Sequence, residues 1–142
     1  MKLNIIFKDE NAIGNYQNIA LNSKTHQSEL EEIPQQSCEE IIITDAINRI
    51  EEGEALNVIQ LCASKLKIGG EIILTIVDFN TLCAAQSSGQ INHDTFNSII
   101  STSKCVIEYS YILQFFLDNN IKLISSQTAN LLYTIDGKKD AS

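Results

Sequence analysis

Two aspartates have the types and positions to do chemistry. Asp45 follows the run Glu40-Ile41-Ile42-Ile43-Thr44, and Asp78 follows Glu71-Ile72-Ile73-Leu74-Thr75-Ile76-Val77. Each closes a predicted strand, at the edge where open α/β sheets place their ligands. A carboxylate pair there can hold a hydroxyl-bearing ligand or a hard cation; an aspartate after a strand is also a favoured helix N-cap. His93 and Asp94 read either as a ligand pair or as a solvated helix start. Tyr109, Tyr111, Phe115 and Phe116 form an aromatic binding patch if exposed, and core if their i, i+4 spacing turns them inward.

Other chemistries find no footing. There is no Gly-x-Ser-x-Gly elbow for a nucleophile. The cysteines at 38, 62, 83 and 105 lie more than 20 residues apart, unlike the close pairs of zinc sites or the dense spacing of secreted disulfide scaffolds. They read as reduced, mostly buried thiols, Cys62 within an apolar helix face being the plainest case. All six glycines sit at 14, 53, 69, 70, 89 and 137, so no Gly-x-Gly loop exists to cradle a nucleotide.

A chain of 142 residues, 44% apolar with a single proline, makes about one ordered domain that buries roughly two thirds of its unfolded surface. We expect that domain over residues 1–137, with a frayed tail at 138–142. No stretch approaches the roughly 18 apolar residues of a spanning helix, and the opening Met1-Lys2-Leu3-Asn4-Ile5-Ile6-Phe7 is too short for a secretory core, so a cytoplasmic protein is expected. The net charge is −8, and residues 29–54 hold nine acidic side chains against the single basic Arg49. Such a surface repels phosphate backbones, which argues against nucleic acid and anionic membranes as partners and leaves solvated faces as the plain reading.

The elements that must position the aspartates alternate. Leu3 to Phe7 and Asn18 to Leu21 read as strands, and Glu40 to Thr44 as a β-branched strand covered on both faces. A helix follows, with Glu51, Glu52 and Glu54 in its first turn, Ala55, Ile59, Cys62 and Leu66 on one stripe, and Lys65 and Lys67 at its close. It leads through Gly69-Gly70 into the strand Glu71 to Val77, a right-handed crossover that implies parallel pairing. Helical patterns at Thr81 to Gln86, His93 to Ser101 and Ser110 to Leu117 precede strands Ile121 to Ser125 and Asn130 to Ile135, a terminal hairpin that gives the sheet one antiparallel edge.

Taken together, Met1-Lys2-Leu3-Asn4, the run Leu30 to Arg49, the helix into Leu66-Lys67-Ile68-Gly69-Gly70, the strand ending at Asp78-Phe79, Gly89-Gln90-Ile91 with Thr95-Phe96-Asn97, and the closing helix and two strands resemble a small class I S-adenosylmethionine-dependent methyltransferase. The resemblance covers nearly the whole chain. It implies an α/β, Rossmann-like methyltransferase fold: seven strands, mostly parallel, flanked by helices, with S-adenosylmethionine and substrate at the carboxyl ends of the strands.

The departures fall where the family works. Its glycine-rich turn after the first strand is replaced by Ile5, Ile6, Phe7 and Lys8; its ribose-binding carboxylate at the end of the second strand is replaced by Ala20. After the third predicted strand, where relatives often place histidine and glutamate, stand Asp45, Asn48 and Arg49; the usual proline of the Gly-Gly segment is Ile68. By resemblance, Phe7, Lys8, Ala20 and Asp45 are vestigial cofactor positions, and Asp78 and His93 are the substrate-side candidates. The expectation is a fold with no S-adenosylmethionine bound, used as a binding or assembly module for a protein partner or for itself as a homodimer through the strand mouths or the hairpin edge. The alternative is an active methyltransferase on a small molecule or glycan precursor.

Overall fold

The computed structural model describes residues 1–141. The first strand, β1 (Lys2–Ile6), is followed by a short 3-10 turn at Asp9–Asn11 and by β2 (Gln17–Ala20). Then come α1 (His26–Glu32), β3 (Cys38–Thr44), a 3-10 turn at Ile47–Arg49, α2 (Glu52–Lys65) and β4 (Leu66–Val77). Three helices, α3 (Phe79–Ser87), α4 (His93–Thr102) and α5 (Tyr109–Asp118), lead to the hairpin β5 (Ile121–Ala129) and β6 (Leu132–Lys139). The strands form one sheet in the order β2-β1-β3-β4-β6-β5, with β2, β1, β3 and β4 parallel and the hairpin antiparallel against β4. This is the expected Rossmann-like architecture, a parallel core of β1, β3 and β4 with the hairpin on one side.

Four expectations are corrected. The sheet has six strands rather than seven, because residues 21–37 supply one short crossover helix, α1, and leave no length for a further strand. The sequence signal for that helix is the pair Leu30 and Ile33, 0% and 4% exposed against the core. The helix α2 ends at Lys65, so Lys67 lies in β4 and does not close it. The tail is not frayed from 138: β6 runs through Lys139, whose Nζ donates to the Ala63 carbonyl at 3.3 Å, and the Asp140 amide donates to the Asn120 carbonyl at 2.8 Å.

The fourth correction concerns cover. Ile41 and Ile43 are 0% exposed, whereas Ile42 between them is partly exposed, so β3 is not covered on both faces. The same alternation runs through β4, where Ile72, Leu74 and Ile76 are at most 1% exposed and Ile73 and Thr75 are partly exposed. Cover is heaviest on the face where α1, α2 and α5 gather. Residues 7–16 join β1 to β2 with one 3-10 turn where a parallel crossover ordinarily carries a helix, while α1, α2 and α5 all pack into a single core with Leu3, Ile5, Ile19, Ile72 and Ile135. The opposite face carries polar rows across the strands. Lys2, Glu40, Glu71, Lys138 and Lys122 lie side by side, and Asn18, Asn4, Ile42, Ile73, Asp136 and Ser125 form the next row.

Two glycines are required by space. A Cβ at Gly70 would lie 2.8 Å from the Lys67 carbonyl and 2.9 Å from that of Cys38, where β4 bulges against β3; its neighbour Gly69 has φ +83°. At Gly137 a Cβ would come within 2.6 Å of both Phe116 and Ile121, so α5 seats directly on β6 there.

Candidate functional site

The carboxyl ends of β1, β3 and β4 converge at one edge of the sheet, and β3 and β4 carry the two aspartates there. Asp45 follows β3 with φ +42°, a left-handed conformation that aspartate tolerates better than most residues. Its amide donates to the Thr75 carbonyl at 3.2 Å. Arg49, one helical turn on, donates through Nη2 to Asp45 Oδ2 and through Nε to the Asp45 carbonyl, both at 3.1 Å. The same guanidinium stands 5.6 Å from the centre of the Phe7 ring, a cation–π contact. Phe7, Arg49 and Asp45 thus form one chain of contacts across the mouths of β1 and β3. Ala20 ends β2 partly exposed, the Leu21 and Asn22 amides bond back to the Ile6 and Phe7 carbonyls at 2.7 and 3.3 Å, and Lys8 points to solvent.

Asp78, 5% exposed, caps α3: Oδ1 accepts from the Thr81 amide at 3.2 Å and Oδ2 from the Thr81 hydroxyl at 2.6 Å. Its own amide donates to the Leu131 carbonyl at 2.9 Å. Leu131 belongs to the two-residue turn Asn130-Leu131, φ +53° and +67°, the primed geometry that matches hairpin twist. A leucine in that conformation costs about 1–2 kcal/mol, strain held at the carboxyl edge of β4.

The structure does not bring the two aspartates together. Asp45 lines a cleft of about 170 Å³ with Arg49, Ile99 and Leu131. Asp78 lines a separate cleft of about 420 Å³ with Glu108, Tyr109 and Tyr133, and Val77 at the end of β4 borders both. A cation shared between the aspartates therefore has no site, and among the described residues no three His, Cys, Asp or Glu side chains gather as a metal set. His93 is exposed in the first turn of α4, which is capped by Asn92 Oδ1 accepting from the Thr95 amide at 2.8 Å. It borders neither aspartate's cleft.

The aromatic set divides. Phe115 and Phe116 are core, Tyr111 is 39% exposed, and Tyr109 stacks on Tyr133 with ring centres 5.0 Å apart, on the wall of the larger cleft. Of the cysteines, Cys38 and Cys62 are buried, Cys105 is partly buried and Cys83 is exposed, with no disulfide among them. Burial pushes the Cys62 thiol up to about 12.

Two residues have a part in this site that the sequence reading does not give them. Asn48, 0% exposed, holds the edge together: its Oδ1 accepts from the Val77 amide at 2.9 Å, its Nδ2 donates to the Cys105 carbonyl at 3.2 Å, and its own carbonyl accepts from the Lys104 amide at 2.7 Å. Tyr133 was read only as a strand residue. A buried asparagine after a strand was the available signal for the first; nothing local marks the second.

No protein-family model matches the chain, and no curated protein matches it. Solved structures do. A type 11 methyltransferase from Sulfolobus solfataricus superposes with a TM-score of 0.58 at 12% identity over 99% of this chain and 85% of that one. An S-adenosylmethionine-dependent methyltransferase from Listeria monocytogenes gives 0.62 at 11% identity over 99% and 91%. A complex between the Haloferax volcanii Trm112 methyltransferase activator and a methyltransferase gives 0.61 at 9% identity over 99% and 82%. The fold is that of the class I S-adenosylmethionine-dependent methyltransferases. Among the described residues no helix is long and apolar enough to cross a membrane.

Proposed function

We propose that this chain is a methyltransferase-fold binding module that has given up S-adenosylmethionine and works by holding a protein partner. The observation that carries the reading is the contact chain Phe7, Arg49 and Asp45 across the mouths of β1 and β3. An aromatic ring and an ion pair stand where the resemblance expects backbone bare enough to approach a ligand. The residues present do not suit the cofactor. The turn after β1 has no glycine before Gly14, and Ala20 offers no acceptor for ribose hydroxyls, where hydrogen bonds to a charged group contribute roughly 1.5–3 kcal/mol each. Four unbridged cysteines fit a reducing, cytoplasmic compartment.

Calorimetric titration with S-adenosylmethionine and S-adenosylhomocysteine tests the proposal. The expected result is binding weaker than about 1 mM; saturable micromolar binding overturns it. An active methyltransferase on a small molecule or glycan precursor would then become the reading. The cleft of about 420 Å³ beside Asp78, within the size range of small-molecule pockets, is what favours that second reading.

A further inference from the structure

Three clefts meet at one exposed side chain. Val106, 56% exposed, lies on the wall of the 420 Å³ cleft, of a 300 Å³ cleft with Leu56 and Tyr111, and of a 240 Å³ cleft with Phe79 and Ile100. Tyr111 and Ile100 are each 39% exposed, so the apolar surface around it is open. The segment that carries Val106 is extended: Asn48 grips its start through Lys104 and Cys105, Val106 points out, Ile107 is buried and Glu108 points out. Val106 and Ile107 make no backbone hydrogen bond among the described residues, which leaves a short strand-like edge free to pair.

Two of the three clefts are acid-rimmed, and the third, of 240 Å³, carries Lys104. Glu108 borders both the 420 and the 300 Å³ cleft, joined by Asp78 in the first and by Glu52 in the second. The field is felt locally, for burial and then the charges of Glu52 and Glu51 push the Cys105 thiol up.

We infer that the ridge Val106 to Glu108 and its flanking clefts are the docking surface for an extended, basic polypeptide segment of a partner protein. The inference rests on the binding-module reading and names the partner's chemistry. A strand-like peptide pairs with exposed main chain and drops alternate side chains into pockets on either side. Here its aliphatic side chains meet Val106 and Tyr111, and its lysine or arginine side chains meet Glu52 and Glu108. Complementary charge selects such a partner over acidic ones and speeds its arrival. A second copy is the poorer occupant, because a two-fold contact through this patch brings the acidic side chains Glu52 and Glu108 of both copies into one interface.

The test is fluorescence anisotropy with a labelled, end-blocked short peptide alternating lysine and leucine, and its glutamate-for-lysine counterpart, each measured with and without S-adenosylmethionine. The lysine peptide should bind saturably and the glutamate peptide should not. Affinity should fall about tenfold or more in the double variant Glu52→Gln with Glu108→Gln, and again in Val106→Lys, which places a cation on the ridge at an exposed position the fold tolerates. Circular dichroism checks that both variants stay folded. Absent binding, or binding unchanged in the variants, overturns the inference; so does a dimer in sedimentation that Val106→Lys dissolves, which would make a second copy the occupant. Micromolar S-adenosylmethionine binding would instead remove the binding-module reading, whatever the peptide does.

Discussion

The two faces of the sheet follow different rules. On one, Leu3, Ile5, Ile41, Ile43, Ile72, Leu74 and Ile135 are at most 1% exposed in a core shared with α1, α2 and α5. On the other, β3, β4 and β6 present Glu40, Ile42, Thr44, Glu71, Ile73, Thr75 and Asp136, all partly exposed, whereas Asn4 and Ile6 of β1 are 0% exposed. Parallel sheets are ordinarily covered twice because both faces are apolar. Here that face of β3 and β4 stays partly exposed, and threonines and a cross-strand row of lysines and glutamates stand on it. What forces a cover onto a parallel sheet is the composition of each face, and not the direction of the strands.

The sharpest way to break this comparison is to truncate neighbours of identical type. Ile43→Ala, on the covered face, should cost about 2–5 kcal/mol in urea unfolding, whereas Ile42→Ala next to it should cost less than half of that, because its site already borders water. Equal losses would mean that the second face is covered in solution. A smaller effect, of opposite sign, is expected at Asp136. Burial, a hydrogen bond to Glu71 and the charges of Glu71 and Glu40 push its carboxyl from the ordinary 3.8 up to about 6, and one of its oxygens is buried without a partner. The folded state therefore binds the extra proton, so stability contributed at acid pH is lost as pH rises from about 4 through about 6. Asp136→Asn should add about 1 kcal/mol at neutral pH and flatten that slope; unfolding curves at either end of the window decide it, and a variant that loses stability at neutral pH refutes the account. The smallest effect belongs to the exposed ion pair of Lys2 and Glu40, 3.8 Å apart. Lys2→Ala should change stability by less than about 1 kcal/mol, and raising salt should erase the difference.

Much of the frame was legible because it is written locally. The Gly69-Gly70 pair, the β-branched runs and the stripe Ala55, Ile59, Cys62 placed β3, α2 and β4 in order, although the glycines lie at a bulge inside β4, and the crossover length made the strands parallel. The aspartates at the strand ends were legible as well, since both positions follow from where the runs stop. The open face was not. Ile41-Ile42-Ile43 is uniformly apolar, so the alternation that marks a one-sided strand is hidden in the very residues that should display it. Nor could the site be assembled from spacing: Asp45 and Asp78 have equivalent places in the sequence, yet the end of β4 sets them in different clefts, and Asn48 joins strand ends and a segment 57 residues away.

Composition, charge and local periodicity were enough to specify an acidic α/β chain without a Gly-x-Gly loop, because those depend on residue type and near neighbours. Which face lies bare, that Arg49 bridges Asp45 and Phe7, and that Val106 stands at the junction of three clefts depend on contacts between segments far apart in the chain. Only the packed structure decided them, since no local pattern reports which distant segments come to rest against a strand.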